Sequence, residues 1–212
     1  MSASAFCAPG AVALSQLADI VQNLEESVGD ANPRKRAEHL KTLASLVETS
    51  FGGDAAVLGE FMRESGGVEL LLECVADASP DVHQPALLVL GNLVSGAFEP
   101  GSPATKKLFN AAGGADVLLP HLLAGDWATQ LYAVATVQNL AEDDEFARQL
   151  AAQGSLRVLQ RLLKSPHQRI VDFAAGALKN AMDHLEPGEL SAARMSALAE
   201  EKSAWTEEKT EM

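Results

Sequence analysis

Five histidines, two cysteines and one run of carboxylates are the residues here whose types could carry catalysis or hold a metal. Their spacing argues against both. His39, His83, His121, His167 and His184 form no HExxH motif and no pair four positions apart, and none lies beside a cysteine. A zinc centre needs three or four such ligands converging. Cys7 and Cys74 stand far apart and suggest neither a metal pair nor a disulfide framework, a usage that fits a reducing compartment. The run Glu142-Asp143-Asp144-Glu145 has neither the alternating oxygens nor the central glycine of a calcium loop. It precedes "EFARQLAA", where carboxylates suit the positive end of a helix dipole. No GxGxxG, phosphate loop or GxSxG occurs. The expectation is a protein that is not an enzyme and uses no cofactor and no metal. His83 and His167 each fall at the start of a helical pattern and read as exposed capping-region residues.

The chemistry that remains is that of amides, and three asparagines recur in one setting. "ALLVLGNL" (86–93), "AVATVQNL" (133–140) and "AAGALKNA" (174–181) all begin with alanine and carry asparagine seventh. Asn92, Asn139 and Asn180 are spaced by 47 and 41 residues. Asparagine is a mediocre helix former, and burying its amide without partners costs roughly 1–3 kcal/mol. A residue kept there three times has a use for its donor and acceptor.

The elements that must position these amides follow from a second landmark. Gly67, Gly114 and Gly154 precede the asparagines by 25, 25 and 26 residues, and leucine-rich helical periodicity follows each glycine. Turns then intervene: "ASPD" at 78, "AGDW" at 124 and "KSPH" at 164. Each unit parses into a short helix ending at glycine, a second helix, a turn and a third helix bearing the asparagine. Hydrophobic residues make up 47% and aromatics only 5%, with alanine and leucine dominant, which favours close-packed helices over sheets.

A repeat of about this length, with a glycine between helices one and two, a turn before helix three and an "ALxNL"-like ending, resembles the armadillo repeat family. The resemblance covers about residues 54–183, as repeats at about 54–104, 105–143 and 144–183. It implies an all-α fold: a right-handed superhelical α-solenoid of armadillo-type three-helix repeats with flanking capping helices. In that family the third helices line a concave groove, and an asparagine near the end of each pairs with the backbone of an extended peptide. By motif match Asn92, Asn139 and Asn180 would form this row; the alternative is that they bond across to a neighbouring repeat. Importin-α-type grooves place tryptophan four residues before the asparagine. Here those positions are Leu88, Ala135 and Gly176, and Lys179 precedes the last asparagine. The implied partner is a protein segment, apolar or mildly acidic, rather than a basic nuclear-import signal.

The flanks are less regular. "VALSQLADIVQNLEESVGD" and "NPRKRAEHLKTLASLVETS" read as two amphipathic helices, the second capped by Asn32 with Pro33 first. Residues 1–53 are taken as a cap or degenerate repeat. "GAFEPGSPATKK" reads as a loop insertion, and its Ser102-Pro103 has the form of a proline-directed phosphorylation site. Residues 184–212 open with a Pro-Gly break, then read as one helix and an acidic tail in which Trp205 is a possible docking residue. Formal net charge is −13, which disfavours nucleic acid; Arg34, Lys35 and Arg36 read as the start of a solvated helix. No stretch reaches the roughly 20 apolar residues of a membrane span, and a secretory signal is not expected. The chain is read as a cytoplasmic or nuclear scaffold or adaptor. Two alternatives stand beside this: an Hsp70 nucleotide-exchange factor of the small armadillo type, whose first repeats "LASLVETSFGGDAAVLGEFMRESGGVELLL" loosely resembles, and a subunit of a larger assembly.

Overall fold

The computed structural model describes residues 9–28 and 32–189, together with Ser191. Among the described residues eleven α-helices with assigned bounds follow one another, and no strand occurs. They are α1 (Pro9–Val28), α2 (Pro33–Thr49), α3 (Gly53–Glu64), α4 (Gly67–Val75), α5 (Pro80–Leu93), α6 (Ser102–Ala111), α7 (Gly114–Leu118), α8 (Trp127–Leu140), α9 (Asp144–Ala152), α10 (Ser155–Leu162) and α11 (Gln168–His184). A 3-10 segment, Leu119–Leu123, continues α7. From α3 onward the succession is short, short, long, three times over. The three long helices, α5, α8 and α11, carry the three asparagines.

The short elements begin and end where local chemistry dictates. The asparagine side chain of residue 32 accepts from Arg34 N at 3.1 Å, and Pro33 occupies the first turn of α2. Asp126 and Asp143 cap α8 and α9 through Thr129 N and Phe146 N. The carboxylate run 142–145 is therefore a helix start, as its position suggests. Pro120 has no N–H to give to the helix ladder, and the second helix of the middle triplet gives way there to 3-10 geometry.

The glycine landmark moves by one residue in two of the three copies. Positive φ occurs at Gly66, Gly113 and Gly154, not at Gly67 or Gly114. Counted from these, each asparagine lies 26 positions on: Gly66 to Asn92, Gly113 to Asn139, Gly154 to Asn180. The register is thus uniform. Gly67 and Gly114 open the next helix and are small for a different reason. A Cβ on Gly67 would stand 2.6 Å from Met62 Cε, and one on Gly114 would enter the Phe109 ring.

The chain divides into two compact units, Met1–Leu118 and Leu119–Met212. In the first, α2 lies along α5, α1 packs on α2, α3 and α4, and α4 packs on α5. The buried face of α5 comprises Val82, His83, Ala86, Leu87, Val89, Leu90 and Leu93. Each large apolar side chain fully removed from water contributes about 1.5–3 kcal/mol. In the second, α8 and α11 lie side by side, and α11 also meets α9 and α10. The buried stripe of α11, Ile170, Ala174, Ala177 and Ala181, is spaced at helical intervals and mostly small, which lets the two helix backbones approach.

The segment read as a loop insertion is partly helical. "SPATKK" forms the first turns of α6, with Pro103 in the first turn, where its missing N–H is harmless. The turn before it is fixed by a buried ion pair. Arg63 Nη1 donates to Glu99 Oε1 at 2.6 Å and to Thr105 Oγ1 at 3.0 Å, and Gly101 N donates to Glu99 Oε2 at 2.6 Å. The Glu99 side chain is fully buried, against Gly59, where a Cβ would stand 2.6 Å from its carboxyl carbon. Ser102 is only 2% exposed, so the phosphorylation reading fails on access.

Candidate protein-interaction face

The three asparagines sit near the C-terminal ends of long helices and are all half-buried, but the structure gives them different surroundings. On α5, Asn92 Nδ2 donates to Leu88 O at 2.9 Å, a carbonyl four residues back in its own helix. Leu88 itself is half-buried. On α11, Asn180 Nδ2 donates to Gln138 O at 2.9 Å, a carbonyl in the last turn of α8. The last carbonyls of a helix run out of N–H donors, so Asn180 supplies one to the C-terminal end of its neighbour. Neither the Asn92 nor the Asn180 side chain makes a further hydrogen bond among the described residues. Among the described residues the Oδ1 atom and the second amide hydrogen of each have no partner. Asn139, on α8 beside Gln138, is half-buried.

The positions four residues before the asparagines hold no aromatic wall. Ala135 and Gly176 are half-buried, and the site of a Cβ on Gly176 lies 2.7 Å from Gln138 Cδ. The Gln138 side chain thus lies over Gly176 while its backbone receives Asn180. Sequence reasoning did not single out Gln138; its neighbours in register, Gly91 and Lys179, share no chemistry with it. Lys179 is exposed and pairs with Asp183 Oδ2 at 2.6 Å, one turn on. Such exposed i,i+4 pairs contribute about 0.3–0.5 kcal/mol.

Of the titratable residues, two depart from expectation. His83 is buried rather than exposed: its Nδ1 lies 2.9 Å from Asp77 O, and the turn 77–79 folds over it. Arg36 is not part of a solvated face. It reaches Asp77 Oδ2 at 2.8 Å and donates to Val28 O at 2.7 Å, joining the end of α1 to the turn before α5. Arg34 and Lys35 are exposed, as expected. A shallow cleft of about 140 Å³ beside them is lined by Pro33, Ala37, Lys41, Ser79 and Asp81. It is smaller than the roughly 300 Å³ at which small-molecule sites begin.

His167 is exposed at the N-cap of α11, without a capping bond from its side chain. It stacks on Trp127, ring centroids 5.3 Å apart and planes inclined by 24°. His184 Nδ1 lies 2.6 Å from Asp144 Oδ1. Burial pushes the Cys74 thiol up to about 12, which removes its nucleophilicity. No group of three or more metal-ligating side chains occurs among the described residues, and no described helix is long and apolar enough to cross a membrane. Trp205, Cys7 and the tail helix beyond Ser191 lie outside the described residues.

Compared by sequence, the chain matches no family model and no characterised protein. Compared by structure, it is similar to an engineered protein solved by a structural genomics consortium (25% identity, TM-score 0.65, 77% of this chain and 62% of that one). It is also similar to a designed armadillo repeat protein (20% identity, TM-score 0.64, 78% and 64%). A third is a designed armadillo repeat protein in complex with the peptide (KR)4 (21% identity, TM-score 0.64, 77% and 63%). The matched part spans less than two thirds of each of these structures. With the thrice-repeated short, short, long succession and its invariant glycine-to-asparagine interval, the fold of this chain is the armadillo repeat fold.

Proposed function

We propose that the chain is a non-catalytic scaffold or adaptor that holds an extended segment of a partner protein along its long helices. The observation that carries this reading is the half-committed amide of Asn180. One amide hydrogen is spent on Gln138 O, which fixes the side chain, while the oxygen and the other hydrogen are left to a partner. An amide held in this way offers a peptide backbone both an acceptor and a donor, already oriented, so little side-chain entropy is lost on binding. The proposed contact residues of the second unit are Ala135, Asn139, Gly176, Lys179 and Asn180 on α8 and α11; Asn92 and Leu88 hold the same repeat positions on α5 of the first unit and are the proposed contacts there. A designed protein of the same fold was solved with a peptide bound, which supports the general mode. The basic character of that peptide is not carried over. Leu88, Ala135 and Gly176 offer no aromatic walls for lysine stems, so the expected segment is apolar or mildly acidic.

The test is quantitative affinity purification with mass spectrometry on wild type and on the Asn92→Ala, Asn139→Ala, Asn180→Ala variant, each checked by a thermal melt. Loss of a specific partner from a folded variant supports the row. Retention of every partner overturns it. Accelerated ADP release from Hsp70 would replace this reading with that of an exchange factor.

A further inference from the structure

The chain is acidic overall, yet from Phe146 to Val171 it contains no aspartate or glutamate at all. Within that stretch lie Arg148, Arg157, Arg161, Lys164 and Arg169, five of the sixteen lysines and arginines, together with His167. Arg157, Arg161 and Lys164 are spaced by four and three residues, on one stripe of α10 and its continuation. Arg161, Lys164 and Arg169 are exposed and have no anionic partner among the described residues. Lys41, Arg148 and Lys179, by contrast, are each tied to a carboxylate.

Large apolar groups stand exposed in the same unit. Trp127 is 54% exposed although its ring is held against His167, and Leu123 and Leu163 are 64% and 39% exposed where the helices before these turns end. Arg169 also lies over the Phe173 ring, 6.0 Å from its centroid. Helix-dipole chemistry accounts for Arg161 and Lys164 at the end of α10, but not for Arg169 in the first turn of α11, where carboxylates are favoured. Nor does it account for a half-exposed tryptophan.

We infer that this surface of the second unit, built from Trp127, His167, Leu163, Arg161, Lys164 and Arg169, docks an acidic peptide segment carrying a large apolar side chain. Charge complementarity selects the occupant. The cations match carboxylates, and the indole and leucine match an apolar anchor, the arrangement in which an aromatic contact dominates a binding site. A long polyanion such as nucleic acid would extend beyond the patch into the field of a chain of net charge −13. This surface does not depend on the asparagine row and can fail or succeed without it.

The full chain carrying Trp205→Phe reports on Trp127 alone, because these are its two tryptophans. A short synthetic peptide of alternating glutamate and leucine should shift Trp127 emission saturably, with affinity falling as salt rises. The charge-reversal variant Arg161→Glu, Lys164→Glu, Arg169→Glu should stay folded, since all three side chains are exposed, with a melt lowered only by a few degrees through the α10 dipole and the Phe173 contact, and bind about tenfold more weakly or worse. No saturable shift, equal binding by the reversal variant, or equal binding of a lysine-for-glutamate peptide overturns the proposal. Tighter binding of an oligothymidylate of matched charge overturns it in favour of nucleic acid. An emission change on charge reversal without any peptide, combined with failure of the peptide to bind, overturns it in favour of the chain's own glutamates beyond Ser191.

Discussion

Replacing Asn180 by alanine tests its link to the neighbouring helix. The substitution removes the 2.9 Å bond to Gln138 O and leaves that carbonyl, in the last turn of α8, to find water. A net hydrogen bond contributes about 0.5–1.5 kcal/mol, rising to about 1–3 when the abandoned partner is sealed from solvent. Asn180 and Gln138 are only half-buried, so the lower range applies. Alanine returns about 0.6 kcal/mol of helix propensity. The balance lies between no change and a destabilisation of about 1 kcal/mol, or up to about 4 °C in Tm for a chain of this size. Asn92→Ala removes a bond of the same length, but to Leu88 O, a carbonyl of its own helix that the backbone ladder already serves. There the propensity gain cancels the loss, and Tm should move by less than about 1 °C. Thermal melts establish the order, and amide exchange locates it: the end of α8 should exchange faster in Asn180→Ala and be unchanged in Asn92→Ala. Equal melts for the two variants, or a larger loss in Asn92→Ala, would refute the assignment of Asn180 as a link between neighbouring helices.

Other substitutions probe the glycines, the buried ion pair and the thiol. Gly114→Ala drives a Cβ into the Phe109 ring, which is fully buried, and should cost about 1–3 kcal/mol by urea unfolding. Gly176→Ala meets only the far end of the Gln138 side chain, which can swing away, and should be neutral or stabilising by up to about 1 kcal/mol; a loss as large as that of Gly114→Ala would contradict the packing described. Arg63→Ala leaves the Glu99 carboxylate buried without its cation and should destabilise by about 3–5 kcal/mol, the loss being read from the denaturation midpoint. The Cys74 thiol is pushed from 9.0 up to about 12, so the neutral form is favoured by folding. Its contribution to stability is complete below pH 9 and is lost as pH rises through about 12. A thiol reagent at pH 8 should therefore label Cys74 only after unfolding, and rapid labelling of the native chain would show the burial to be wrong.

The periodic part of this fold was legible because each repeat states the same physical problem in the same places. A chain that must reverse between two short helices needs a residue tolerant of positive φ, and glycine appears three times at one distance from the asparagine. What could not be read was which glycine of each pair bends the backbone. Both look alike in sequence, and only the neighbours Met62 and Phe109, at close quarters, give the second glycine its separate task. The same limit governed the polar residues. Arg36 reads as a surface cation in its local charge run, and His83 as a helix start; the turn 77–79 buries His83 and half-buries Arg36, bringing Asp77 to each of them. Asn180 is the instructive case, because the motif places it correctly and leaves its bonding open. A periodic pattern fixes where a side chain stands on its helix, but the acceptor it meets, Gln138 O, is supplied 42 residues earlier by a neighbouring helix. The amide then has one hydrogen engaged in the fold, and the rest of its capacity meets no partner among the described residues. On the proposed function, structural and binding roles belong to different atoms of one side chain, and a substitution that keeps the Nδ2 bond while altering Oδ1 weighs them apart.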